Sequence, residues 1–429
     1  MNRRDFLKSL ALAGVAGPVL WSQTGCAPAL IRADATTGLS LGYVSGDVTA
    51  NSALIWLRAD PGSQVSVQYA KDPRLETFLS TSEYPVSPEH DFTAMISLES
   101  LAAGTRYYYR AEVKGKMPGH IASFVTAPRP DDDAKVTFCF SADTRESYKP
   151  FMVMNAVRAQ HPDFFIHLGD TIYADRNGTA RQLSEFWAKY RTNRDDLSSQ
   201  YCFNETSVYV IWDDHEVEDN YLPDNPLAPI GRKAFLDYWP IRHPSGEPEQ
   251  IYRSVRWGRG VELFILDARQ YRDRKKSTML GKAQKQWLFD GIAKSTALFK
   301  FVVTSVPMAG GGSDRWDGYS RERAELLHYI NEKRISGVYF LSGDMHYAAI
   351  TRIPKSSGLK DITAGPLAAP LNRITNGTAG RFEYYLAENF NFAKITVNPK
   401  TDPHNALLEF IDQDNYVFHR AKLPAGGFV

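Results

Sequence analysis

Four aspartates follow apolar stretches of the sequence at widely separated positions: Asp143, Asp170, Asp214 and Asp344. Because the carboxyl ends of strands form the ligand crevice of α/β sheets, we expect these side chains to converge. Converging carboxylates repel one another and are costly to desolvate unless a cation lies among them. The pattern therefore favours a metal site over four aspartates that each cap a following helix.

The apolar stretches that carry these aspartates alternate with polar, helix-compatible stretches. Strands buried on both faces with helices between them indicate a layered α/β domain, which we assign to residues 135–429. The predicted strands lie in the stretches 136–143, 163–170, 208–214, 261–269, 299–307 and 337–344.

A different pattern precedes this domain. Residues 38–128 contain short alternating stretches separated by Gly, Pro, Asn and Asp turns, which is typical of a β-sandwich. The segment Leu101–Tyr109 resembles the tyrosine-bearing strand and turn of fibronectin-like modules. We therefore predict a small fibronectin-like β-sandwich domain that packs against the α/β domain or shapes its ligand crevice.

The first 36 residues have the features of an export signal. Arg3 and Arg4 precede an apolar run that is short and broken by glycine, which matches a twin-arginine signal better than a membrane span. The alternative is a chance arginine pair before an amphipathic helix. We predict a partnership with the twin-arginine export machinery, a periplasmic or extracellular location, no transmembrane helix in the mature protein, and Cys26 as a candidate for lipid attachment.

Composition excludes few classes of protein. The chain has 429 residues and a formal net charge of +1, so the overall charge indicates no nucleic-acid-binding module and no anionic membrane partner. Beyond Cys26 the cysteines are Cys139 and Cys202. They could pair in an oxidising compartment, but Cys139 lies in an apolar stretch where an inert buried thiol is the simpler interpretation.

Four motifs carry a family resemblance, together with the fibronectin-like domain in front of them. Their order is that of the calcineurin-like metallophosphoesterases, and they look most like the PhoD-like alkaline phosphatase and phosphodiesterase branch. The motifs are Phe140-Ser141-Ala142-Asp143, Gly169-Asp170-Thr171-Ile172-Tyr173, Trp212-Asp213-Asp214-His215-Glu216 and Gly343-Asp344-Met345-His346. The resemblance implies a phosphoester hydrolase in which two metal ions activate a water.

The resemblance also implies a ligand set. Asp170 would bridge the two ions, with Asp143, Tyr173 and His346 on the first ion. Asp214, Asp344 and Asn220 would bind the second, although Asn220 could equally cap a turn.

The donor types limit the ions. Phenolate and carboxylate suit Fe³⁺ at the first site, but most PhoD-like members have Cys where Asp143 stands, and this departure could favour another ion. The second site lacks the His that many relatives supply, since residues 301–308 contain none. Its all-oxygen set suits Ca²⁺, Mg²⁺ or Mn²⁺.

Other residues are candidates for contact with substrate. His215 would stabilise developing charge or protonate the leaving group. Glu216 would orient that imidazole or groups behind the metal ligands, or would be a carboxylate at a helix N-terminus. Arg145 is the leading phosphate clamp, followed by Arg269 and Arg272. For the last two, ion pairs with a neighbour such as Asp267 or Asp273 are the competing interpretation.

Two expectations concern the reaction. No Gly-rich P-loop occurs, so recognition must centre on the phosphoryl group, and we expect diesters to be hydrolysed as well as monoesters. The alternative function is a degenerate member that binds phosphorylated or anionic polymers without turning them over.

Overall fold

The computed structural model describes residues 36–374 and 381–426. The predicted export signal, except for Thr36, and the candidate lipid site Cys26 lie outside the described residues. Within the described part of the chain, no helix is both long and apolar enough to cross a membrane.

The strands follow the alternating and apolar stretches of the sequence. In chain order they are β1 (Leu39–Gly46), β2 (Ala53–Ala59), β3 (Gln64–Ala70), β4 (Leu79–Ser80), β5 (Tyr84–Pro85), β6 (Thr93–Leu98), β7 (Arg106–Val113), β8 (Ala122–Val125), β9 (Val136–Ser141), β10 (Phe164–His167), β11 (Ser207–Val210), β12 (Arg253–Trp257), β13 (Val261–Ile265), β14 (Phe299–Val303), β15 (Val338–Ser342), β16 (Ala348–Arg352), β17 (Lys360–Thr363), β18 (Phe382–Leu386), β19 (Asn391–Asn398), β20 (Asp402–Asp412) and β21 (Val417–Pro424).

The helices lie between the strands of the predicted α/β domain. They are α1 (Val153–Ala159), α2 (Leu183–Arg194), α3 (Leu197–Phe203), α4 (Ala228–Tyr238), α5 (Gly281–Lys294) and α6 (Ser320–Glu332), with short 3₁₀ helices at Pro88–His90, Glu146–Tyr148 and Trp316–Tyr319. Local capping fixes some of the ends: Asp196 accepts the Ser199 N–H at the start of α3 (2.9 Å).

Two large mixed sheets stack face to face. One has the order β21-β20-β19-β9-β10-β11-β1-β2-β6, and the other has the order β12-β13-β14-β15-β17-β16-β18. Aromatic side chains fill the space between the sheets, with the Phe138 ring 4.9 Å from Phe164 and 5.2 Å from Phe301. Helices α1 to α4 cover the outer face of the first sheet, and α5 and α6 cover that of the second. The predicted layered α/β domain is confirmed as helix, sheet, sheet and helix.

The predicted N-terminal β-sandwich is also confirmed. Strands β1, β2 and β6 face the small sheet of β3, β7 and β8, and the two share an apolar core. Strand β1 also pairs in parallel with β11, with Gly46 opposite Val208. One face of the sandwich is therefore an extension of the nine-stranded sheet that contains β9, β10 and β11.

The two internal cysteines are buried and are not joined. Burial raises the pKa of Cys139 well above its ordinary value and that of Cys202 to about 12. Both therefore fit the interpretation of inert core thiols.

The junction between β1 and β11 gives a first prediction. A Cβ at Gly46 would lie 2.4 Å from Pro240 Cγ and 2.8 Å from the Val208 carbonyl oxygen. We expect Gly46→Ala to lower the free energy of unfolding by about 1–3 kcal/mol through overpacking, measured by denaturant titration.

Gly426→Ala is the matched control, because a Cβ there meets nothing within 4 Å. An unchanged free energy of unfolding in Gly46→Ala would contradict tight packing at this junction.

Candidate metal centre

The four predicted aspartates converge at the carboxyl ends of strands from both large sheets. Asp143, Asp170 and Asp214 follow the neighbouring parallel strands β9, β10 and β11, and Asp344 follows β15 of the facing sheet. Three of them have left-handed backbone conformations, with φ of 68° at Asp143, 53° at Asp170 and 65° at Asp344. Asp tolerates this region better than most residues, and such turns are common at functional sites.

A first cluster contains Asp143, Asp170 and His346, each offering a ligand atom within 4.8 Å of the others. The His346 Nε2 atom lies 3.5 Å from Asp143 Oδ1 and 3.3 Å from the Tyr173 hydroxyl. The other ring nitrogen, Nδ1, is bonded to the Pro370 carbonyl oxygen, which leaves the Nε2 lone pair facing the cluster.

Asp143 tests whether this cluster fits a cation. Its side chain is fully buried, and neither carboxylate oxygen has a hydrogen-bond partner among the described residues. Gly365 leaves space beside it, since a Cβ there would lie 2.8 Å from Asp143 Oδ2. Burying an unpaired carboxylate is costly unless a cation lies beside it. The cluster's donors are the oxygens of Asp143, Asp170 and Tyr173 and the imidazole of His346, and this set fits a hard or borderline metal ion.

A second cluster shares Asp170 with the first. This second cluster consists of two groups that overlap at Asp214. Asp170, Asp214 and His215 offer ligand atoms within 4.8 Å of one another, and Asp213, Asp214 and Asp344 do the same. Burial raises the pKa of Asp170 well above its ordinary value, and the charge of Asp214 adds to the effect. The common member, Asp170, stands where a bridging carboxylate would stand.

Asn220 contacts this cluster through its backbone. Its N–H donates to Asp214 Oδ2 (2.6 Å), its φ is 54°, and its side chain is exposed. This geometry matches the turn that the sequence left open as the alternative. A ligand role for its amide stays a prediction.

Arg269 and Arg272 are placed differently from the predicted phosphate clamps. The Arg269 side chain is fully buried and bonds Asp213 (2.6 Å) and Asp314 (2.9 Å), while Arg272 bonds Asp314 (2.7 Å). The structure therefore favours the ion-pair interpretation, although the partners are Asp213 and Asp314 rather than Asp267 or Asp273. Neither guanidinium is open to substrate in this arrangement.

Arg145 lies beside the first cluster, and its role as a phosphate clamp stays a prediction. It is half-buried, its guanidinium carbon lies 5.8 Å from the centre of the Tyr173 ring, and its Nε has no hydrogen-bond partner in the described chain. No acidic side chain of the described residues forms an ion pair with it, so its charge is available to an anion beside the first cluster.

His215 is held by a residue that the sequence analysis missed. Its Nδ1 bonds Asp175 Oδ1 (2.8 Å), and its ring stacks on Tyr173 with centroids 4.2 Å apart. Burial opposes a positive charge, but Asp175 and Asp214 together raise the pKa of His215 above its ordinary value. The position of Asp175, two residues after the Gly169–Tyr173 motif, was the available signal.

Glu216 does not orient the imidazole. Its carboxylate accepts the backbone N–H groups of Asp170 (3.2 Å), Thr171 and Asp213 (2.8 Å). No helix starts at Glu216 either, because the chain forms turns there. It joins the loop of Asp170 to the loop of Asp213 from behind, which is the other position that the sequence predicted for it.

Arg315 was also missed. It makes two bonds to Asp344, with Nε 2.6 Å from Oδ2 and Nη2 2.9 Å from Oδ1. It lies three residues after the glycine-rich segment Gly310–Gly312, whose composition is typical of a surface turn. A carboxylate offers more lone pairs than two hydrogen bonds use, so Asp344 can still bind a cation.

Comparisons with known proteins agree with this architecture. The family model described as PhoD-like phosphatase matches residues 138–376, and the model for the N-terminal domain of PhoD-like phosphatase matches residues 25–128. Alkaline phosphatase D of Bacillus subtilis (strain 168) is 25% identical over 374 residues. That match covers 72% of this chain and only 64% of the relative's length.

Solved structures are similar in fold. A structure of PhoD aligns with a TM-score of 0.79 at 20% identity, covering 92% of this chain and 90% of the other. A purple acid phosphatase, PPD1 from yellow lupin (Lupinus luteus) seeds, aligns with a TM-score of 0.69 at 13% identity, covering 90% and 74%. With both of its domains matched by models of one family, the chain belongs to the PhoD-like phosphatases.

Proposed function

We propose that this protein is a metal-dependent phosphoester hydrolase that acts on both monoesters and diesters. The observation that supports this most directly is the shared carboxylate, because Asp170 belongs to both acidic clusters. Asp143 is buried in the first cluster, and neither of its carboxylate oxygens has a hydrogen-bond partner among the described residues. Two bound metal ions would supply an activated water and neutralise charge on the phosphoryl group. An exported location stays a prediction from Arg3 and Arg4.

The chain's own residues have separate roles in this proposal. Arg145 holds the phosphoryl group, because its guanidinium is unpaired and beside Tyr173. His215 carries a proton that it can donate to the leaving oxygen, since Asp175 favours its charged form. Arg269 holds the loop of Asp213 through a buried ion pair, and Arg269 and Arg272 together hold Asp314.

The metal identities follow from the donor types. Asp143, Asp170, Tyr173 and His346 provide three oxygens and one nitrogen, for which we propose Fe³⁺. The oxygen donors Asp170, Asp214 and Asp344 suit Ca²⁺, with Mg²⁺ or Mn²⁺ as alternatives.

The first test of function removes the shared charge. We expect Asp170→Asn to lower the bound metal at both sites and to reduce hydrolysis of an aryl phosphate monoester and its matching diester to background, because an amide is a neutral, weaker ligand. Metal content is measured by elemental analysis and hydrolysis by aryl alcohol release.

Asp290→Asn, at an exposed position of α5, is the matched control. Full metal content with a near wild-type rate in Asp170→Asn would contradict the bridged site. A wild-type protein that is fully loaded but hydrolyses neither ester would favour the binding-protein alternative.

The iron assignment has its own readout. A phenolate bound to Fe³⁺ gives visible charge-transfer absorption, so Tyr173→Phe should remove the colour of the protein and leave its far-ultraviolet circular dichroism unchanged. The control is Tyr221→Phe, since Tyr221 is buried nearby with an unpaired hydroxyl and should keep the colour. A colourless, fully active wild-type protein loaded with divalent ions would rule out Fe³⁺.

The role of His215 is tested by two variants. We expect His215→Ala to lower kcat by about 10²–10⁴-fold with metal content retained. Asp175→Asn should lower the pKa of His215, so activity that needs the protonated imidazole should be lost at a lower pH on the alkaline side of the profile.

The exposed His328→Ala serves as the control for substitution elsewhere. A large loss of metal in His215→Ala would instead make His215 a ligand. An unshifted pH profile in Asp175→Asn would remove the proton-donor role.

A further inference from the structure

A small cavity lies behind the loops that carry Asp143 and Asp170. Its volume is about 30 Å³, and it is lined by Thr144 and Thr171 on the side of those loops and by Arg194 and Trp239 on the other. A water needs at least about 10–15 Å³ of such space, so the cavity holds one or two particles of that size. A phosphate or sulfate is too large for it.

Arg194 contributes a charge to this cavity without a counter-charge. It ends α2, is 5% exposed, and uses Nη2 to donate to the Tyr238 carbonyl oxygen. Its Nε and Nη1 atoms have no acceptor among residues 36–374 and 381–426. Three aromatic rings surround the guanidinium carbon, at 3.8 Å for Trp239, 4.6 Å for Trp56 and 5.6 Å for Phe203.

Asp196, the buried acidic residue two positions after Arg194, is already used. Asp196 accepts the backbone N–H groups of Ser199 and Phe151, one with each carboxylate oxygen. Burial accordingly lowers the pKa of Arg194 to about 9, with only Tyr238 and Tyr190 acting in the other direction. Because arginine is not deprotonated in proteins, the charge persists and requires an anion.

Aromatic faces offset only part of this cost. A cation–π contact lowers the cost of burying the charge, but an aromatic face accepts no hydrogen bond in the plane of the guanidinium. The N–H groups on Nε and Nη1 therefore remain without acceptors among the described residues, and an unpaired buried donor is costly.

We propose that the cavity binds a monovalent halide, chloride under physiological conditions, at one of the two unpaired nitrogens of the Arg194 guanidinium, Nε or Nη1. The Tyr190 hydroxyl, which is also unpaired, is a further donor on the cavity wall. Two acceptor atoms on the same wall, Asn193 Oδ1 and His167 Nδ1, suit a water molecule beside the halide.

The halide site is coupled to the metal centre through Asn193. Its side-chain amide donates to the carbonyl oxygens of Thr144 (2.7 Å) and Thr171 (2.8 Å), the residues that follow Asp143 and Asp170. Ordering Arg194 therefore orders the adjacent residue that holds both ligand loops, and the halide should stabilise the folded state.

Thermal unfolding of the metal-loaded protein tests the proposal. In sodium chloride, compared with sodium gluconate at equal ionic strength, we expect Tm to rise with the logarithm of chloride concentration, by about 1–2 °C at ten times the dissociation constant. Crystals soaked in sodium bromide should give an anomalous scattering peak in the cavity, next to Arg194.

The variants separate the site from general salt effects. Arg194→Gln should lose both the chloride-dependent Tm rise and the bromide peak. Arg191→Gln, on the same helix, removes an ion pair with Asp91 and should keep both.

Other results would overturn the proposal. These are ordered water alone at Nε and Nη1 in bromide-soaked crystals, a bromide peak without any chloride-specific Tm rise, or an equal chloride effect in Arg194→Gln. If Arg194→Gln does not fold, the bromide peak and the chloride titration of the wild-type protein decide the matter.

Discussion

Mutual repulsion among buried carboxylates is the constraint on which the rest of this site depends. The protein provides its own cations for three members of the cluster: Arg269 pairs with Asp213 and Asp214, and Arg315 pairs with Asp344. Asp143 and Asp170 receive no arginine or lysine from the described residues, although both are buried. The uncompensated charge is thus concentrated on the two carboxylates at the first cluster and the bridge, where metal ions would bind.

The convergence of the aspartates was predictable because it depends on local pattern. Each aspartate follows a strand whose residues are buried, and strand ends are readable from one sequence. Asp344 follows β15, which belongs to the second sheet rather than to the sheet of β9, β10 and β11. The prediction of convergence still held, because the two sheets stack with these strand ends at the same edge. Strands β16 to β21 were not predicted, and they extend both sheets: β17 pairs with β15 in one, and β19 pairs with the distant β9 in the other.

Side-chain partners were the part that sequence could not determine. Asp267 looked like the natural partner of Arg269, two residues away. Its Oδ1 instead accepts the Trp212 indole N–H (3.0 Å) and the Arg269 backbone N–H (2.9 Å), so it stabilises a turn. The guanidinium then reaches Asp213, which is far away in sequence and follows a strand of the other sheet. Such pairings depend on how two sheets stack, and no local spacing encodes them.

The ligand loops are held from behind by groups that do not face the metals. Glu216 accepts backbone N–H groups of the Asp170 and Asp213 loops, and Asn193 donates to the carbonyl oxygens that follow Asp143 and Asp170. These bonds satisfy loop backbone whose left-handed turns leave it outside any strand ladder. Because donors and acceptors on the protein fix the loops, the ligand positions do not depend on a metal to form them. Under the proposed function, metal preference would depend on the donor types and their spacing, and Asp143, which stands where most similar proteins have Cys, would be the donor with most influence on which ion binds.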